Sequence, residues 1–175
     1  MTDTTGPGWP DQIFDCLRRF EVAQVAYVPD AGHGRLIERS IASNDVRAVG
    51  LTTEEEGVAL LAGAWLGGER GALLMQSSGV GNCINMLGMT KTCRMPLLML
   101  VTMRGEWGEF NPWQVPMGQI TGDMLRLAGV LTFPVDEPAA VPETVEAAAR
   151  MAFEGPAAVA VLLSQRLIGA KSFGK

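Results

Sequence analysis

Three consecutive glutamates, Glu54, Glu55 and Glu56, open an apolar stretch that continues as GVALLAGAWL. One interpretation is helix stability: Thr53 is a predicted N-cap, Glu56 then falls at the third helical position, and the two form a capping box. Capping needs only one glutamate, however. The helix body has no polar face, so we expect its first turn to be enclosed. A carboxylate held there is costly to desolvate, so the segment is also a candidate for a functional role.

A second polar segment, from Gln76 to Asn85, reads QSSGVGNCIN and directly follows a predicted strand. Open α/β sheets usually bind ligands at this end of their strands. The segment is not G-x-G-x-x-G and lacks the lysine of a P-loop, so we do not expect it to cradle phosphates. A tight connection without any binding role is the alternative interpretation.

Two further candidates follow the first predicted strand. Asp30 comes after Pro29, a position where aspartate is most often a helix cap. His33 is the only histidine of the chain, and a single histidine is most often a surface residue. Arg35 follows two positions later.

A long irregular stretch from Arg104 to Gln119 carries two more polar candidates, Arg104 itself and Gln114. Loops of this length in compact domains are usually functional or disordered. Three aromatic residues within the stretch favour an ordered loop that buries their rings, if necessary against another subunit. They are Trp107, Phe110 and Trp113.

Strand-like and helix-like segments alternate along the chain. The predicted strands are Gln24–Val28, Val46–Leu51, Ala72–Met75, Pro96–Thr102, Leu131–Phe133 and Ala157–Leu163. The predicted helices are Pro10–Phe20, Leu36–Ala42, Glu54–Leu66, Gly81–Thr92, Ile120–Leu127 and Pro138–Phe153. Such alternation indicates βαβ units. We therefore predict the α/β class: a single doubly wound, mostly parallel six-stranded sheet with helices on both faces. One domain spans 1–175, with tails expected at 1–9 and 166–175.

Composition excludes several classes of protein. The 175 residues carry a net charge of −5 and no basic patch, which argues against a nucleic-acid partner. No apolar run approaches the ~20 residues needed to span a bilayer, and the first residues lack the features of a signal peptide. Three cysteines without metal-like spacing favour a reduced, cytoplasmic setting, and one histidine argues against a His-based metal site. No metal ligand is predicted.

Four motifs in the same order resemble the sulfopyruvate and phosphonopyruvate decarboxylase group of thiamine-diphosphate enzymes, and the α subunit of sulfopyruvate decarboxylase most of all. The first is VPD at Val28–Asp30, and the second is a glutamate nine positions before a glycine, as from Glu54 to Gly63. The third is MQSSGVGNCIN, and the fourth is RGEWGEFNPWQVPMGQI. The resemblance extends over nearly the whole chain after the first ~10 residues.

The resemblance implies a pyrimidine-binding domain for thiamine diphosphate. In that family a glutamate hydrogen-bonds N1′ of the aminopyrimidine and activates the cofactor for attack on a 2-oxo acid. By spacing that residue is Glu54, with Glu55 as its nearest rival and Glu56 as the capping residue. The resemblance places Gln76, Ser77, Ser78 and Asn82 against the cofactor or the substrate. It makes Asp30, His33, Arg104 and Gln114 candidates for the substrate.

One departure concerns the anionic group of the substrate. Related decarboxylases tend to carry a lysine shortly after the first strand, whereas this chain reads AGHGRL there. His33 or Arg35 is the alternative for holding a sulfonate or phosphonate. The sequence leaves open which 2-oxo acid is used, and whether the reaction is decarboxylation or carboligation.

The resemblance also implies a missing partner. The family holds Mg²⁺ and the diphosphate through a G-D-G…N motif on a second domain, and the Gly122-Asp123 pair lacks the leading glycine. We therefore expect an obligate complex with a second subunit that carries the diphosphate-binding domain, as α₂β₂ or a multiple of it. Two alternatives are a non-catalytic regulatory or scaffolding subunit and a stand-alone flavodoxin-like nucleotide-binding domain.

Overall fold

The computed structural model describes residues 8–169, and they form one parallel sheet enclosed by helices. The strands are β1 Val22–Tyr27, β2 Arg47–Gly50, β3 Arg70–Gln76, β4 Leu97–Thr102, β5 Leu131–Val135 and β6 Ala158–Leu163. The helices are α1 Trp9–Arg19, α2 Gly34–Ala42, α3 Glu54–Leu66, α4 Ser77–Cys83, α5 Gly88–Thr92, α6 Val115–Leu127, α7 Val141–Phe153 and α8 Gln165–Ile168. Short 3₁₀ turns occur at Ala31–His33, Pro112–Gln114 and Pro138–Ala140.

All five strand pairings are parallel, in the order β2-β1-β3-β4-β6-β5. The chain moves from β1 outward to β2, then returns to add β3 on the other side of β1. The order therefore reverses between β1 and β3, and ligands of doubly wound sheets bind at such a reversal, beyond the carboxyl ends of the strands. The predicted fold class is confirmed.

Two apolar cores cover the two faces of the sheet. On one face α1, α2 and α7 bury residues such as Ile13, Leu36 and Val145 against the sheet. On the other face α3, α4 and α6 bury residues such as Val58 and Leu125. Strands β4 and β6 are buried along their whole lengths, which explains their nearly continuous apolar sequences.

Two element boundaries differ from the sequence prediction, and both border the candidate site. Helix α4 begins at Ser77, whereas a turn and a helix from Gly81 were predicted. Its Val80 and Cys83 are fully buried, and this packing outweighs the low helix propensity of the Ser/Gly-rich segment. Helix α6 begins at Val115 rather than Ile120, because Pro116 in its first turn is tolerated there.

Most residues of the two predicted tails, 1–9 and 166–175, lie outside the part of the chain that the structure describes. Residues 1–7 and 170–175 lie outside them, whereas Trp9 belongs to α1 and residues 166–168 belong to α8. Within the described range 8–169, no helix is both long enough and apolar enough to cross a membrane.

Candidate active site at the carboxyl edge of the sheet

The three glutamates point to different surroundings from the first turn of α3. Glu54 is buried, with 9% of its surface exposed. Glu55 accepts a hydrogen bond from the Thr53 hydroxyl, which lowers the pKa of Glu55. Glu56 is exposed and accepts from the backbone N–H of Thr52 at 2.9 Å. Thr53 is the N-cap as predicted, but its side chain makes no capping bond, so the predicted capping box is wrong.

The carboxylate of Glu54 is fixed by helix α4. Asn82 Nδ2 donates to Glu54 Oε2 at 2.8 Å. Gly79 lies so close to the same carboxylate that a Cβ at this position would overlap it. Behind it, burial and then the neighbouring Glu54 raise the pKa of the Cys83 thiol to about 12, so this thiol stays protonated. Gly79, in the MQSSGVGNCIN motif, therefore leaves the space that the Glu54 carboxylate occupies.

A cavity of about 880 Å³ opens beside this carboxylate. Helix α3 contributes only Glu54 to its lining. The rest comes from α4 and from the start of α6 with the loop before it: Ser78, Gly79, Gly81, Asn82, Asn111, Pro112, Trp113, Pro116 and Met117. One wall is thus polar and carries a single carboxylate, and the opposite wall is apolar. Among residues 8–169, no cationic side chain lines the cavity.

Ser77 and Ser78 face different surroundings although they are neighbours. Ser78 lines the cavity. Ser77 is fully buried, where its hydroxyl donates to the carbonyl of Arg104 at 2.9 Å and accepts from the backbone N–H of Arg104 at 3.0 Å. It therefore joins α4 to the end of β4. The predicted cofactor contact of Ser77 gains no support from this geometry.

Gln76 belongs to a polar cluster at the ends of three adjacent strands. Asp30 accepts hydrogen bonds from Gln76 Nε2 at 2.5 Å and from the Thr102 hydroxyl at 2.7 Å. Asp30 also caps the 3₁₀ turn that follows it, through the backbone N–H of Gly32. Gln114 Nε2 donates to Gln76 Oε1 at 3.4 Å. Gln114 Oε1 is buried and has no hydrogen-bond partner among the residues that the structure describes. The expected capping role of Asp30 is confirmed.

His33 is a core residue, so the expectation of a surface histidine is wrong. Its ring is 1% exposed, and Nε2 lies 3.0 Å from the carbonyl of Leu100. Burial lowers the pKa of His33, and therefore the ring is neutral at physiological pH. Arg35, the other cation considered for an anionic substrate group, pairs with Asp11 at 2.9 Å between α1 and α2. Neither side chain lines the cavity.

Arg104 is bound by a residue that the sequence interpretation missed. Its Nε and Nη2 donate to the two carboxylate oxygens of Glu109 at 2.5 and 2.6 Å. The two side chains are 7% and 2% exposed. This pair lowers the pKa of Glu109 to about 2. A buried arginine implies a nearby carboxylate, but the loop carries both Glu106 and Glu109, and spacing alone does not choose between them.

The aromatic residues of the loop are exposed in the single chain. Trp113 is 82% exposed at the edge of the cavity, and Trp107 and Phe110 are also exposed. The guanidinium groups of Arg104 and Arg166 lie over the rings of Phe110 and Trp107, and burial of the rings against another subunit stays a prediction.

The fold and the cavity define a doubly wound α/β protein with one buried carboxylate in a candidate ligand site at the carboxyl edge of its sheet. Two relatives share this chain over most of its length. The sulfopyruvate decarboxylase subunit alpha of Methanococcus maripaludis is 34% identical over 154 residues, which are 87% of this chain and 92% of that subunit. The sulfopyruvate decarboxylase subunit alpha of Methanothermobacter thermautotrophicus is 37% identical over 137 residues, which are 78% of this chain and 83% of that subunit. The chain belongs to the family of sulfopyruvate decarboxylase α subunits.

One further relative and one solved structure also match this chain. Phosphonopyruvate decarboxylase of Streptomyces viridochromogenes is 42% identical over 108 residues, which are 61% of this chain and 27% of that enzyme. By structure, 2-oxoglutarate:ferredoxin oxidoreductase from Magnetococcus marinus matches with a TM-score of 0.75 at 15% identity, over 93% of this chain and 29% of that one. The structural match shows a shared fold. No protein-family model matches the chain.

Proposed function

We propose that this chain is the pyrimidine-binding subunit of a thiamine-diphosphate-dependent 2-oxo acid decarboxylase. The observation that carries the proposal is the carboxylate of Glu54, buried at the wall of the 880 Å³ cavity and held by Asn82. The relatives are named as decarboxylases of 2-oxo acids, which supports this reaction class.

The cavity lining suits one half of the cofactor. A flat aminopyrimidine needs apolar surfaces along its ring and a polar partner at its edge, and the lining offers Pro112, Trp113 and Met117 for the first and Glu54 for the second. Glu54 would hold a proton shared with the ring nitrogen N1′, while Asn82 keeps the carboxylate in place. When bound, thiamine diphosphate would supply the electron sink that accepts the electron pair left as CO₂ departs from a 2-oxo acid.

The other half of the cofactor would need a second subunit. Within residues 8–169, no cationic side chain lines the cavity to bind a diphosphate, and no three His, Cys, Asp or Glu side chains group as a metal site. The relatives named as subunit alpha imply a partner chain. We propose that this partner binds the diphosphate and Mg²⁺ and closes the cavity over the pyrimidine, in an α₂β₂ complex or a multiple of it.

The substrate would lie next to the polar cluster formed by Asp30, Gln76 and Gln114. The unpartnered oxygen of Gln114 is an acceptor for a substrate or water hydrogen. Arg104 and His33 are weaker candidates for direct contact, because Glu109 and the Leu100 carbonyl already bind them. An anionic tail on the 2-oxo acid would then be held by a cation of the partner.

The proposal is tested by reconstitution. The purified chain alone and the chain co-expressed with its second subunit are assayed for CO₂ release from a panel of 2-oxo acids that includes sulfopyruvate and phosphonopyruvate, with thiamine diphosphate and Mg²⁺. We expect turnover only by the complex. Substantial turnover by the isolated chain would contradict the need for a partner, and an inactive, correctly assembled complex would contradict the enzyme assignment.

The role of Glu54 is tested within an active complex. Glu54→Gln keeps the size and the hydrogen bond to Asn82 but cannot hold the proton, so we expect kcat to fall by about 10²–10⁴-fold. Glu56→Gln is the matched control, because it changes an exposed carboxylate of the same helical turn and should leave kcat close to that of the wild type. If Glu55→Gln were inactive and Glu54→Gln active, Glu55 rather than Glu54 would be the residue that activates the cofactor.

A further inference from the structure

Glu109 makes more polar contacts than any other carboxylate near the cavity. Besides the two bonds from Arg104, its Oε1 accepts from the backbone N–H of Asn111 at 3.0 Å. Its Oε2 accepts from Gln165 Nε2 at 2.9 Å. One buried carboxylate thereby joins the end of β4, the loop and helix α8. These contacts are made by a side chain outside the strand pairings, so formation of the sheet does not explain them.

The loop from Gly105 to Gln114 is closed at its base. Gly105 has φ +84°, and a Cβ there would overlap the carbonyl of Gln114. Gly118 is packed equally closely against the carbonyl of Arg104. The two ends of the loop are therefore in backbone contact. The position of the residues between them depends on contacts made within the loop and with helix α8.

Glu109 holds the segment that faces the cavity. Glu109 accepts a hydrogen bond from the backbone N–H of Asn111. The side-chain Oδ1 of Asn111 in turn accepts a hydrogen bond from the backbone N–H of Trp113 at 3.1 Å. Asn111, Pro112 and Trp113 form the loop's part of the cavity wall. Arg104 thus contacts Glu109, and Glu109 contacts the segment that forms this part of the cavity wall. Glu109 itself does not line the cavity.

We propose that Glu109 is a positioning residue: paired with Arg104, it holds Asn111–Trp113 as the wall against which the ligand of the Glu54 cavity binds. The pair also keeps the guanidinium of Arg104 bonded to the loop. This inference rests on the proposed function for the identity of the ligand, and on the contacts above for the role of Glu109.

The test uses the co-expressed complex and two independent readouts. Glu109→Gln should raise the Kd for thiamine diphosphate with Mg²⁺, followed by tryptophan fluorescence, by about tenfold or more, the size expected for losing a charge-assisted hydrogen bond. The same variant should speed hydrogen exchange of peptides covering 105–114, while kcat at saturating cofactor stays within about twofold of the wild type, since no reacting group is changed. Glu106→Gln is the matched control: this carboxylate of the same loop binds Ser164 and Gln165 but does not contact Asn111–Trp113. It should keep the wild-type Kd.

A second variant separates the positioning role of Glu109 from a loss of folding. Glu109→Gln leaves Arg104 buried without its charged partner, which is a strongly destabilising change. Arg104→Met combined with Glu109→Leu removes both charges and should fold, yet it should show the same faster exchange and the same weaker cofactor binding. Wild-type affinity in both variants, or faster exchange without weaker binding, would overturn the positioning role alone. A wild-type complex that shows no saturable binding of thiamine diphosphate would overturn the proposed function and this inference with it.

Discussion

Adjacent residues in the first turn of a helix project about 100° apart, and this geometry separates the three glutamates. Glu54 projects toward α4 and the cavity, whereas Glu56 projects to solvent. The hydroxyl of Thr53 and the backbone N–H of Glu55 lower the pKa of Glu55, so it remains a carboxylate at neutral pH. Of the three, Glu54 is the one that lines the cavity, and Gly79 is the residue that lets it do so.

Gly79→Ala should displace the Glu54 carboxylate, because the added methyl would occupy its place. We expect a large loss of kcat in the reconstituted complex although alanine favours a helix more than glycine does. Gly81→Ala is the control in the same helix, since its Cβ would sit 3.4 Å from the flexible Met117 and needs only a small adjustment. A Gly79→Ala complex with wild-type kcat would show that the observed carboxylate position is not required for turnover.

Helix α3 carries Glu54 to the sheet edge because its buried face contacts the sheet very closely. A Cβ on Gly57 would overlap the side chain of Leu73 in β3 and approach that of Leu51. On the opposite face, Gly63 has nothing within 4 Å of such a Cβ. The helix therefore tolerates added volume on one face and not on the other.

We expect opposite effects from the same substitution on these two faces. Gly57→Ala should lower the free energy of unfolding by about 1–3 kcal/mol through overpacking against Leu73. Gly63→Ala should raise it by up to about 1 kcal/mol, because alanine has the higher helix propensity and meets no neighbour. Urea denaturation of the purified chain measures both. Equal effects would mean that the close contact between α3 and the sheet is absent in solution.

At the scale of the whole molecule, the buried pair of Arg104 and Glu109 connects the central strand β4 to α8 beyond β6. The pKa of Glu109 falls from an ordinary 4.5 to about 2 in the folded chain, chiefly because Arg104 binds its carboxylate. A carboxyl with a lower pKa in the folded state stabilises the fold fully above its unfolded pKa, and this stabilisation disappears as the pH falls toward the folded value.

The wild-type chain should therefore lose stability relative to Glu109→Gln between about pH 4.5 and pH 2. At pH 7 the wild type should be the more stable of the two by about 3–5 kcal/mol, the usual cost of removing one partner from a buried ion pair. Unfolding free energies at pH 7, 4.5 and 3 provide the measurement. A difference that stays constant with pH would show that the Glu109 carboxyl is not held by a buried pair.

Local sequence patterns were sufficient for the fold class, and the family resemblance indicated part of the candidate site. Alternating apolar segments predict the six strands, because burial on both faces of a parallel sheet requires continuous apolar runs. The position of Glu54 at the start of α3, with Ser78 and Asn82 at the same cavity, agrees with the predicted grouping. These residues lie on two adjacent elements whose ends meet at one edge of the sheet, so the sequence order already brought them together.

Long-range packing decided the remaining features. The Ser/Gly-rich segment after β3 is helical because Val80 and Cys83 enter the core, which local propensity does not reveal. His33 is buried under β4, although nothing in its neighbours distinguishes it from a surface histidine. The sequence by itself determined the sheet, since strands and helices follow from apolar periodicity, and the motif spacing shared with the decarboxylase family indicated Glu54 with Glu55 as its rival. Only the tertiary structure decided that Glu109 binds Arg104 and the backbone of Asn111 beside the cavity, since such pairings require the atomic distances that packing sets.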